Sequence, residues 1–162
     1  MSDIVVNRVD YNDPAQGADL LAMLEIYAHD PMGGGGTLNG DVRARLLTDL
    51  AARPFALSWL AYRDGAAVGL ANAFLGYSTF AARSLINIHD VVTHPDHRGC
   101  GVATALFAEI ERTAQVEGCC KITLEVLDGN TRAKALYAHL GYGGYGLGEG
   151  QGTAEFWQKA MT

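Results

Sequence analysis

The chain has 162 residues, 49% of them apolar and 19% charged, with a net charge of −6. That is enough chain for one globular domain, taken as residues 1–162, with an apolar core. The acidic balance excludes broad nucleic-acid binding, no run of about 18 apolar residues is present to span a membrane, and the absence of a basic-then-apolar leader makes the cytoplasm the expected location.

Residues 4–9 read as a first strand, and 18–28 as a helix with Leu20, Leu21, Leu24 and Tyr27 at helical spacing. Four consecutive glycines, Gly33 to Gly36, then predict a mobile loop. A second helix is expected over 41–52, capped by Asn39 or Asp41. Apolar runs at 55–62 and 67–74 flank Asp64-Gly65, which predicts a hairpin. A strand over 84–93 leads into His94-Pro95-Asp96-His97-Arg98-Gly99-Cys100-Gly101, and a helix follows over 102–116. A strand at 121–127, a helix at 130–140 capped by Asp128 or Asn130, a glycine-rich tail and a last strand at 154–160 complete the order. Strands and helices in this order imply an α/β (α+β) chain with a mixed sheet and helices on its faces.

The turn at 94–103 is the most informative segment. A strand that ends in a glycine turn and opens a helix aims free N–H groups and the positive end of the helix dipole at one point, which suits a phosphate. A Walker-type loop would need Gly-Lys-Ser/Thr where the chain has Gly101-Val102-Ala103. A Rossmann site would need a third glycine where Thr104 stands, and such folds open with their glycine turn. Three cysteines without spaced pairs, Cys100, Cys119 and Cys120, form neither a disulfide framework nor a zinc site. Cys100, at a helix start, is either a reactive thiol or simply a small residue that fits the turn.

Arg98-x-x-Gly101-x-Ala103 resembles the Arg/Gln-x-x-Gly-x-Gly/Ala signature of the GNAT superfamily of N-acetyltransferases. Asn130-x-x-Ala133-x-x-Leu136-Tyr137-x-x-x-Gly141-Tyr142 resembles the second signature of that family. The resemblance implies a GNAT fold: a mixed, mostly antiparallel sheet of about seven strands, splayed in the middle, with about four helices on both faces. It also implies acetyl-coenzyme A as co-substrate and no metal. The backbone of Arg98, Gly99, Cys100, Gly101, Val102 and Ala103 would hold the pyrophosphate. Val91, Val92 and Thr93 would pair with the pantetheine arm as an added strand, and Asn130 would touch that arm.

Segments 69–80 and 85–92 look most like the diamine (spermidine/spermine) acetyltransferase branch, in which a dimer is common; a homodimer is therefore a further expectation. The chain departs from that branch at His89, where a glutamate is usual, and at Gly33 to Gly36, where acids precede the second helix. The implied reaction is direct attack of a primary amine of a small molecule on the thioester, with Tyr137 as general acid. The amine needs a proton acceptor. His89 is the leading candidate because an imidazole is mostly neutral at pH 7; Asp90 or water are the alternatives. On a regular strand His89 shares a face with Asn87 and Val91, and Asp90 points away unless a bulge intervenes. Glu25, Tyr27, Asp30 and Tyr77 are candidate substrate contacts. A protein lysine or N-terminal acetyltransferase, and a non-catalytic sensor of acetyl-coenzyme A, are the other readings.

Overall fold

The computed structural model describes residues 3–161. The strands are β1 (Val5–Arg8), β2 (Ala56–Arg63), β3 (Ala66–Ser78), β4 (Arg83–Thr93) and β5 (Ile122–Leu124). The helices are α1 (Pro14–His29), α2 (Gly40–Ala51), α3 (Val102–Val116) and α4 (Thr131–His139). The sheet order is β1-β2-β3-β4-β5. Neighbours run antiparallel except β4 and β5, which are parallel and joined through α3. Two compact units divide the chain between Leu124 and Glu125.

Local chemistry accounts for the element ends. Asp13 caps α1 by accepting from Ala15 N and Gln16 N, and Pro14 stands in the first turn, where its missing N–H costs nothing. These start signals place the helix four residues ahead of its apolar periodicity. Asn39 caps α2. Asp64 and Gly65 both take positive φ, as a tight two-residue hairpin requires, and turn β2 into β3.

The sheet is covered on both faces. Leu20, Met23 and Leu24 of α1 and Leu50 of α2 pack with Leu60, Leu70 and Val92 on one face. On the other, α3 buries Val102, Leu106, Phe107, Ile110 and Ala114. Helix α3 lies so close that a Cβ on Gly69 would stand 2.5 Å from Val102 Cγ1. That close approach fixes where α3 begins over the sheet.

Among the described residues the sheet has five strands, against the expected number of about seven. Residues 154–160 form no strand, and the tail has a single bridge, Gly146 to Thr153. Gly148, Gly150 and Gly152 hold positive φ in the loop that this bridge closes, and outward from it the pairing goes no further than Ala154 N donating to Tyr145 O at 2.7 Å. Strand β5 is also shorter than expected. Its pairing ends at Leu124 opposite Ile88, and β4 bulges immediately afterwards. The described pairing on the β5 side of β4 thus stops at residue 88. The glycine run 33–36 is more built than its composition predicts. Asp30 accepts from Met32 N, the carbonyl of Asp30 accepts from Gly33 N and Gly35 N, and a Cβ on Gly33 would meet Tyr27 O at 1.9 Å.

Candidate active site

The register of β3 against β4 shifts by one residue between Asn72 and Ala73: Asn72 faces Asp90, and Ala73 faces Ile88. His89 is the extra residue. A bulge of this kind lets two consecutive side chains emerge on one side of the sheet. The ring of His89 meets Phe74 edge-on at 4.9 Å, and Asp90 Oδ2 accepts from Asn72 Nδ2 at 3.0 Å. Phe74 and Asn72 lie on the face covered by α1, so His89 and Asp90 share it. Val91, opposite Ala71, points to the α3 face instead. The grouping of His89 with Val91 is therefore corrected, because the bulge shifts the alternation by one.

Past Ile88, β4 has no sheet partner on its β5 side among the described residues. Val91, Val92 and Thr93 lie along this edge, with the Val92 side chain buried and the strand backbone unpaired on that side. The turn follows directly. Gly99 and Gly101 adopt φ of 76° and 84°. Gly101 is the N-cap of α3 and supplies no side-chain acceptor, so the first amides of the helix, from Val102 and Ala103, have no cap. A Cβ on Gly99 would meet nothing within 4 Å, which leaves the space in front of the backbone open. These features fit a pyrophosphate. The Cys100 carbonyl accepts from Arg63 Nη2 at 3.1 Å, and its thiol sits 3.7 Å from Arg98 O, as a small turn residue would.

The expected substrate contacts separate into two groups. Tyr27 is half-buried near the C-terminal end of α1. Burial raises its phenol pKa, and the carboxylates of Asp90 and Asp30 raise it further, so it lies among the acids of this face. Asp30 forms a 2.7 Å ion pair with Arg98, tying the turn to the end of α1. The Met32 amide and Arg98 together hold its carboxyl below the usual range. Glu25 is engaged structurally, accepting from Leu38 N and pairing with Arg43 of α2. Tyr77 lies four residues beyond the bulge on β3, opposite Ser84 and 63% exposed, so it is not gathered with the others.

In the second unit, Asn130 caps α4 by accepting from Ala133 N at 3.2 Å. Tyr137 stands half-buried on the same helix with its ring 6.4 Å from that of Tyr142. The strand periodicity gave no warning of Tyr11, Ser58 and Asn72, whose side chains run behind Asp90. The available signal was two polar residues at inward positions of otherwise apolar strands.

Residues 20–142 match the Acetyltransferase (GNAT) family. The chain belongs to the GNAT acetyltransferase family. The thialysine N-epsilon-acetyltransferase of Bos taurus is 35% identical over 74 residues, which cover 46% of this acetyltransferase chain and 43% of that protein. The match thus spans less than half of that relative. Among solved structures, a transcriptional regulator from Bacillus halodurans C-125 superposes with a TM-score of 0.77 at 20% identity, covering 90% of this chain and 97% of the other. The aminoglycoside acetyltransferase HMB0005, from an uncultured soil metagenomic sample, gives 0.73 at 22% identity over 98% and 99%. At these identities the likeness establishes the GNAT fold and nothing finer. No helix among the described residues is long and apolar enough to cross a membrane.

Proposed function

We propose that this GNAT acetyltransferase moves the acetyl group of acetyl-coenzyme A to a primary amine of a small cationic molecule. The observation that carries the reading is the bulge, which sets His89 and Asp90 on one face beside the unpaired edge of β4. The thialysine N-epsilon-acetyltransferase relative adds weight, since its name states transfer to a side-chain amine.

Acetyl-coenzyme A supplies an activated acyl thioester when bound. The amides of residues 98–103 would hold its pyrophosphate, with the α3 dipole adding to the attraction. The edge at Val91, Val92 and Thr93 would bind the pantetheine arm as a neighbouring strand, and its N–H groups are suited to stabilise a developing oxyanion. Asn130 would contact the same arm. An alkyl ammonium with a pKa of ~10.4 costs about 4.6 kcal/mol to deprotonate at pH 7. Asp90 would hold the ammonium, and His89 beside it would take the proton. Tyr137 would return a proton to the leaving sulfur, a role supported by its place in the second family signature. Tyr27 and Asp30 would line the acceptor side.

Thiol release from acetyl-coenzyme A tests the reading against thialysine, polyamines, aminoglycosides and a lysine peptide. Release with the small amines is expected. Release with the peptide alone would replace this reading with protein acetylation, and none above hydrolysis despite tight cofactor binding would make the chain a sensor. In Tyr137→Phe, turnover should fall about a hundredfold while coenzyme A affinity stays unchanged; unaltered turnover would remove Tyr137 from the mechanism.

A further inference from the structure

Ser58 and Asn72 are the only buried polar side chains among the described residues. They face each other across β2 and β3, in a row that ends at Asp90 on β4. On β2 and β3 the flanking positions are apolar: Leu60 and Leu70 on one side, Ala56 and Phe74 on the other. Apolar residues in the middle row would avoid the desolvation that a buried hydroxyl and amide require. Packing therefore gives no reason for them.

Hydrogen bonds join the row. Ser58 Oγ donates to Asn72 Oδ1 at 2.7 Å, and Asn72 Nδ2 donates to Asp90 Oδ2 at 3.0 Å. Tyr11 Oη lies 2.8 Å from Ser58 Oγ. Serine has one hydroxyl hydrogen, and Asn72 takes it, so Tyr11 must be the donor to Ser58. Every hydrogen in the chain points towards Asp90. Burial raises the pKa of the Tyr11 phenol, in keeping with a hydroxyl that keeps its hydrogen. A carboxamide in the middle does not pass protons on, so the chain orients and does not conduct.

The end of the chain is distinctive in charge. Asp30 is paired with Arg98, and Glu25 with Arg43. Asp90 is held by a neutral amide and has no cationic partner among the described residues; its Oδ1 has no hydrogen-bond partner there either. Its orientation is fixed while its charge is left uncompensated. Resting on the reading of the site given above, we propose that Tyr11, Ser58 and Asn72 are positioning residues that aim the Asp90 carboxylate at the ammonium of the acceptor. Selectivity for cationic amines then depends on this buried chain as well as on Asp90.

The test compares the wild type with Asn72→Leu, which keeps the volume and removes the donor. The acceptors are thialysine, a cation, and aniline, uncharged at neutral pH. Loss of a hydrogen bond to a charged group should raise KM for thialysine about tenfold and leave aniline within about twofold. Coenzyme A affinity should not change. A purely structural role would lower both acceptors alike, and equal losses or none would overturn the proposal. Calorimetric binding of propane-1,3-diamine supplies a readout independent of turnover. Weaker diamine binding in Asn72→Leu supports the chain even if the wild type transfers no acetyl group, an outcome that would sink only the catalytic reading. No diamine binding by the wild type overturns the chain itself. If Asn72→Leu does not fold, Tyr11→Phe removes only the remote hydroxyl and should shift the same two readouts in the same direction, by about threefold; unchanged readouts in a folded Tyr11→Phe likewise overturn the chain.

Discussion

His89 and Asp90 show how much a single inserted residue can decide. On a regular strand they would face opposite sides of the sheet, one towards α1 and one towards α3. The bulge opposite Asn72 puts both on the α1 face, which the proposed reaction needs if one amine is to meet both side chains. If His89 accepts the proton, His89→Ala should lose most activity near neutral pH and recover part of it at high pH, where the amine deprotonates itself. A pH–rate profile decides the matter: a uniform loss would make His89 a positioning residue. The residue types at 89 and 90 are plain in the sequence, but their common face is not. Bulges depend on the pairing of β3 with β4, which no local pattern encodes.

Among the elements, the end of α1 and the turn before α3 are coupled through Asp30 and Arg98. The Asp30 carboxyl is lowered first by the Met32 amide and then by Arg98. A depressed carboxyl stabilises the fold above its unfolded pKa of ~3.9, and that contribution is lost as the pH falls through the lower folded value. Asn can keep the cap but not the charge. Asp30→Asn should therefore melt below the wild type at pH 7, and the gap should close below about pH 4 in thermal scans. Helix α3 is fully legible in the sequence, because Gly101 and the apolar periodicity mark both ends. The last strand is not. Residues 154–160 are rich in apolar and aromatic side chains, but a strand needs a partner, and beyond the Gly146–Thr153 bridge only Ala154 finds one, donating to Tyr145 O.

Across the whole molecule, the core on the α1 face supports the site directly, since Leu60, Leu70 and Val92 form the row next to Ser58, Asn72 and Asp90. Leu60 is fully buried. Leu60→Ala should cost about 3 kcal/mol, a drop in Tm of roughly 6–12 °C for a chain of this size. A melting curve checks it, and a loss below 1 °C would place Leu60 outside the core. The sequence by itself determined the family, the glycine turn before α3 and the helices, because each rests on local periodicity, caps, glycines and contiguous signatures. Only the tertiary structure decided which side chains meet: the shared face of His89 and Asp90, the pairing of Arg98 with Asp30, and the polar row behind Asp90. Those contacts join residues up to 68 positions apart, and their geometry is set by strand register and packing, which no single segment contains.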